Sequence, residues 1–230
     1  MSPIESNLQH VGACIDAAIA GLSHARQKPV TLVAVSKARS VAEVREAFAA
    51  GQRAFGENYV QEALAKIGAT ADLRPLGAIW HYIGPLQTNK ARQVAQHFDW
   101  MHAIDRLKIA QALSGYRLGL PPLNVCLQIN ISGEASKSGV APADAPTLAK
   151  QIAALPGLKF RGFMAIIENT PDEATQRTQF RMMQQLFDTV NRNGMAIDTL
   201  SMGMSSDYRV AIEEGANMVR VGSAIFGLRS

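Results

Sequence analysis

The chain has 230 residues, 47% of them hydrophobic, enough to bury a sizeable core. The formal net charge is +4, and the lysines and arginines form no run of the kind that marks a nucleic-acid or membrane partner, so that class is set aside. Two distant cysteines, Cys14 and Cys126, no apolar core of signal-peptide length and no stretch near the ~18 apolar residues of a membrane span point to a reduced, cytoplasmic protein.

Strand and helix patterns alternate along the chain. A helix is expected over roughly residues 4 to 27, then an apolar, β-branched strand, "VTLVAVS", over 30–36. The helix after it opens on a capping box, Ser40 with Glu43, carries Val41, Val44 and Phe48 at helical spacing, and ends at Gly51. A short strand over 53–58 precedes helical "YVQEALAKIG". Strands over 79–84 and 100–104 follow, each with its helix. The fifth strand covers 123–131; its loop, "SGEASKSGVAP", leads to a helix ending near Pro156 and Gly157. The sixth strand covers 158–166. The longest helix comes next, with Thr170 as N-cap, Pro171 first inside, Glu173 three residues past the cap and Gly194 at its end. Strands over 199–204 and 217–223, with helix "DYRVAIEEG" between them, complete the series.

The strands are apolar runs rather than clean alternations, as in sheets buried on both faces. Eight strand–helix units in this length predict an α/β fold, a single (β/α)8 TIM barrel preceded by an N-terminal helix, in one domain over 1–230. A doubly wound open sheet would leave edge strands, and none reads as distinctly polar.

In such a barrel the chemistry belongs at the C-terminal ends of the strands, with a phosphate site after strands 7 and 8. Lys37 follows strand 1, Glu57 and Asn58 follow strand 2, His81 lies in strand 3, and Asn130 ends strand 5. Ser205 and Ser206 follow strand 7, and Gly222 and Ser223 end strand 8. "MGMSSD" and "RVGSAIFG" read as anion seats, where free backbone N–H groups and small residues admit a phosphate. Either serine alone would read as a helix cap.

A lysine and a phosphate seat on one rim suggest pyridoxal phosphate. Its aldehyde condenses with a neutral amine, and a lysine of pKa about 10.4 is neutral only about once in 2,500 at pH 7. Burial at the end of an apolar strand raises that fraction. Arg220 lies between Val219 and Val221, inside a buried strand, and needs a partner. The pyridine nitrogen of the cofactor is one; a salt bridge to Glu57 or another carboxylate is the other.

"AVSK", "FGENYVQE", "WHYIGPLQTNK", "LQINIS", "SKSG", "RGFMAI", "SMGMSSD" and "MVRVGSAIFG" run in order over residues 30 to 228. In these motifs the chain resembles the pyridoxal phosphate homeostasis protein family. The resemblance implies a barrel like the N-terminal domain of alanine racemase, with pyridoxal 5'-phosphate held as an internal aldimine on Lys37. It implies phosphate contacts from Ser205, Gly222 and Ser223, Arg220 facing the pyridine nitrogen, and Asn58 and His81 lining the pocket. It further implies a role in buffering vitamin B6 and delivering it to apo-enzymes, with no established turnover. "SKARS", "MAIIENTPDEA" and "DYRVAI" depart from the commoner family pattern and bear on the pocket rim.

The alternative is a pyridoxal-phosphate-dependent amino-acid racemase. Racemisation needs a base on each face of the substrate carbanion. Racemases with this barrel take the second, a tyrosine, from a further β-domain across a dimer. No such domain is expected after strand 8 here, which favours a monomeric carrier. Of Tyr59, Tyr82, Tyr116 and Tyr208, Tyr59 and Tyr208 begin helices near the rim. The five histidines have no metal-ligand spacing, so no metal is expected. Lys137, in "SKSG", is a candidate secondary lysine for cofactor in transit.

Overall fold

The computed structural model describes residues 1–23, 27, 29–134 and 138–227. Eight parallel strands close into a barrel in sequence order. They are β1 (Thr31–Val35), β2 (Ala54–Glu57), β3 (Ile79–Tyr82), β4 (Trp100–Ile104), β5 (Leu123–Ile129), β6 (Leu158–Ala165), β7 (Thr199–Ser201) and β8 (Met218–Val221). Closure pairs β1 with β8, Val33 against Arg220 and Ala34 against Val221. Each strand feeds a helix that covers its outer face, and every residue of β2, β4 and β8 is buried. That double burial is why these strands read as unbroken apolar runs.

The helices are α1 (Pro3–Ala20), α2 (Val41–Ala49), α3 (Val60–Ala69), α4 (Ala91–His97), α5 (Leu107–Arg117), α6 (Ala145–Ala153), α7 (Glu173–Arg192), α8 (Tyr208–Glu213) and α9 (Ser223–Phe226). The Ser40–Glu43 capping box opens α2 as expected. A second one, Ser2 with Glu5, opens α1, whose buried stripe Ile4, Leu8, Val11 and Ile15 packs against the barrel's closing end. Asn7 Nδ2 ties that helix to Ile225 O at 2.9 Å.

Two boundaries differ from expectation. The first helix stops at Gly21 rather than near residue 27, because glycine and serine interrupt the apolar period there. The long helix α7 is capped by Asp172, not Thr170. The Asp172 carboxylate accepts from both Ala174 N and Thr175 N, at the positive end of the helix. The Thr170 hydroxyl instead accepts from Asp172 N at 3.1 Å, so Pro171 belongs to the turn before the helix.

Candidate functional site

Side chains alternate along a strand. Val35 and Lys37, at the end of β1, therefore share the inner face, and both line a cavity at the barrel mouth. Ser36, between them, points outward. The cavity measures about 480 Å³, within the range of small-molecule sites. Lys37, Asn58, Ser205, Arg220, Gly222 and Ser223 all face it, joined by the apolar walls Ile83 and Ile166. They come from the C-terminal ends of six strands, β1, β2, β3, β6, β7 and β8, the face where barrels of this kind carry their chemistry.

His81 does not line it. The ring is buried in the barrel interior, stacked on Trp100 at 5.4 Å, with Nδ1 2.9 Å from His102 Nε2. Register explains this: His81 pairs with Gly56, a full residue below the β2 end that presents Asn58. His102 Nδ1 in turn lies 2.9 Å from Ser201 Oγ. Burial lowers the His81 pKa to about 3 and drives that of His102 well below the usual value, so both rings are neutral.

Arg220 forms the cavity floor. Its Nη1 donates to Ser201 Oγ at 2.8 Å and its Nη2 to Ala165 O at 2.9 Å. Glu57 is not its partner: that carboxylate lies behind the barrel wall, 2.9 Å from Lys66 Nζ. Burial lowers the Arg220 pKa to about 10, partly offset by the Asp207 carboxylate, and leaves the guanidinium charged at neutral pH.

Two turns meet opposite Lys37. Ser205 Oγ accepts from Gly222 N at 3.3 Å, which joins the end of β7 to the end of β8. Asp207 Oδ1 accepts from Met204 N at 2.5 Å and shapes the first turn. Gly203 has φ +95°, and a Cβ there would meet Ala211 Cβ at 2.7 Å and Tyr208 Cα at 2.9 Å, so only glycine fits. The leading N–H groups of α9, at Ser223 and Ala224, have no carbonyl one turn back.

Arg39 was not singled out in the sequence, although it adjoins Lys37 in "SKAR". It lines the cavity, donates through Nη2 to Gly227 O at 2.5 Å and lies over the Phe226 ring. Lys37, Arg39 and Arg220 make the cavity cationic, which suits an anionic ligand. Among the described residues, the buried Oδ1 of Asn58 has no hydrogen-bond partner, a polar atom left over at the cavity wall.

Asn130 serves its own loop, with Nδ2 donating to Glu134 O and Oδ1 accepting from Gly133 N. Lys137 lies outside the described residues. Among those described, no group of three or more His, Cys, Asp or Glu side chains could hold a metal, and no helix is long and apolar enough to cross a membrane. The Cys126 thiol is buried and pushed up to about 12, which makes it unreactive.

Residues 15–230 match the family model for the alanine racemase N-terminal domain. The chain is 54% identical to the pyridoxal phosphate homeostasis protein of Pseudomonas aeruginosa, over 100% of this chain and 97% of that one. It belongs to that family. A second member, the pyridoxal phosphate homeostasis protein of Escherichia coli K12, is 48% identical over 100% of this chain and 98% of its own. A solved structure of the same barrel is PipY of Synechococcus elongatus with PLP bound, at TM-score 0.81 and 36% identity, over 97% of this chain and all of that one. Membership of the family agrees with the motifs "AVSK", "SMGMSSD" and "MVRVGSAIFG", which supply Lys37, Ser205 and Gly222 to the cavity.

Proposed function

We propose that this single-domain barrel binds pyridoxal 5'-phosphate covalently but reversibly, and acts as a cytoplasmic reservoir and carrier of the cofactor for apo-enzymes. The observation that carries this reading is the opposition, across one cavity, of the Lys37 amine and the Ser205–Gly222–Ser223 turns. A phosphorylated aldehyde needs both. The serine hydroxyls and the N–H groups at the start of α9 would hold its phosphate. The Lys37 amine would hold its aldehyde carbon through a C=N bond, formed with loss of water. The orphaned Asn58 Oδ1 would suit the ring hydroxyl, and Arg220 would donate to the pyridine nitrogen without protonating it. When bound, the cofactor supplies an electron sink, and an unprotonated ring weakens it. A weak sink suits storage better than turnover.

The cavity lining also favours a carrier over a racemase. Among the described residues, none of the four tyrosines lines it, so no tyrosine faces Lys37 as a second base. Tyr59 and Tyr82 border a neighbouring groove instead.

The test is absorption spectroscopy of the chain with pyridoxal phosphate, then borohydride reduction and peptide mapping. The adduct is expected on Lys37 and absent in Lys37→Ala. An adduct on another lysine overturns the reading. A companion measurement follows the α-hydrogen of alanine and serine in deuterated buffer. Exchange at the buffer rate agrees with a carrier; faster exchange that Lys37→Ala abolishes makes the protein a racemase.

A further inference from the structure

Three charged side chains that the proposed chemistry does not use gather behind the end of β1. Glu57 closes β2, and Glu62 and Lys66 stand one turn apart on α3. Glu57 and Lys66 are buried, and none of the three lines the cavity.

Their contacts converge on the two residues that flank Lys37. Lys66 Nζ donates to Ser36 O at 2.5 Å, to Glu57 Oε1 at 2.9 Å and to Glu62 Oε1 at 2.5 Å. An ammonium has three hydrogens, and all three are used. The Ser36 hydroxyl donates to Glu57 Oε1 at 2.6 Å. Glu62 Oε1 also accepts from Ala38 N at 2.6 Å. The cluster thus holds the carbonyl and hydroxyl before Lys37 and the amide after it.

The turn it grips is not one the chain adopts freely. Ala38 has φ +58°, the only positive φ on a non-glycine among the described residues. That conformation is unfavourable for a residue with a Cβ, and it persists only where the surroundings impose it. Here the imposing contacts are Glu62 on the Ala38 amide and the turn bond from Arg39 N to Ser36 O at 3.0 Å. Alternation past Val35 points Lys37 inward, and the left-handed step at Ala38 turns the chain away immediately after it, which fixes Lys37 at the mouth.

We propose that Glu62 and Lys66 are positioning residues for Lys37: they lock the Ser36–Ala38 turn, from behind the barrel wall, in the form that delivers the amine to the cavity. The proposal rests on the reading that Lys37 condenses with the cofactor aldehyde. It accounts for Glu57 and Glu62 of "FGENYVQE", and for Lys66 four residues later, as a clamp, while Asn58 of the same motif lines the cavity.

The experiment compares two ligands. Pyridoxal phosphate can condense with Lys37; pyridoxamine phosphate has an amine in place of the aldehyde and binds through its phosphate and ring alone. In Glu62→Ala, which alters a side chain still 30% exposed, affinity for pyridoxal phosphate and the borohydride-trapped fraction on Lys37 are expected to fall together, about tenfold, the scale of one lost charge-assisted hydrogen bond. Affinity for pyridoxamine phosphate is expected to stay within about twofold. Glu62→Gln, whose amide oxygen can still accept from Ala38 N, is expected to restore the trapped fraction. The charge-neutral pair Glu57→Gln with Lys66→Met removes the grip on Ser36 O and is expected to show the same selective loss, should Glu62→Ala fold poorly. Equal losses for both ligands, or no loss in either folded variant, overturn the clamp. If the unaltered chain carries its adduct away from Lys37, the proposed function itself has failed, which is a separate result.

Discussion

Arg220 and Ser201 meet inside the barrel, Nη1 to Oγ at 2.8 Å, and this contact sets the direction of every proton below it. Arginine can only donate, so the serine oxygen accepts and its single hydrogen goes to His102 Nδ1. His102 then carries its proton on Nε2 and donates to His81 Nδ1. A charged group at the cavity floor is thereby anchored to a neutral, hydrogen-bonded chain.

Ser201→Ala is expected to break that chain at its middle. It leaves an arginine N–H and a histidine nitrogen buried without partners, at a cost of about 1–3 kcal/mol for each such group. Urea unfolding reads the loss. With Arg220 released, the affinity for pyridoxal phosphate is expected to fall as well. A variant as stable and as tightly binding as the original would show that the contact anchors nothing.

Acid is expected to weaken the fold through the two histidines. His81 holds a pKa of about 3 and His102 one well below its usual value, against about 6.5 in the unfolded chain. Between those limits the unfolded state binds protons that the folded state refuses. The stability these rings contribute is complete above about pH 6.5 and is lost as the pH falls, by about 1.4 kcal/mol per pH unit for each proton. Glu57 works in the opposite sense, because burial raises its pKa. Urea midpoints between pH 7.5 and pH 5 give the net slope. His102→Gln is expected to reduce it by about one proton.

Gly203→Ala is expected to disturb the ligand turn more than the barrel. The new methyl would press on Ala211 and Tyr208, at a backbone φ of +95° that side chains rarely adopt. The turn through Ser205 must shift. Affinity for inorganic phosphate as a probe is expected to drop at least about tenfold, with far-ultraviolet circular dichroism unchanged.

Asp172→Ala serves as the contrasting case. It removes the cap of α7, remote from the cavity lining, and is expected to cost about 1 kcal/mol of stability. Binding of pyridoxal phosphate is expected to stay as it was.

Much of this protein is legible along the chain because its signals are local. Double burial marks β4 over residues 100–104 as an apolar run, and Ser40 with Glu43 announces α2 wherever that helix packs. The cap of α7 is misread for the same local reason: Thr170 and Asp172 are both good caps, and only the formed turn shows which oxygen reaches the free N–H groups. His81 reads as a cavity residue until the register of β3 sets it beside Gly56 and beneath the mouth.

Burial period and turn chemistry act over a few residues, so the alternation of strands and helices, and with it the rim on which Lys37, Ser205 and Gly222 gather, is readable along the chain. What each charge faces emerges on folding: Arg220 on Ser201 rather than Glu57, Glu57 on Lys66, and Ala38 bent over Glu62. Those pairings join residues from separate strands and helices, and barrel closure, not distance along the chain, brings them within hydrogen-bond reach.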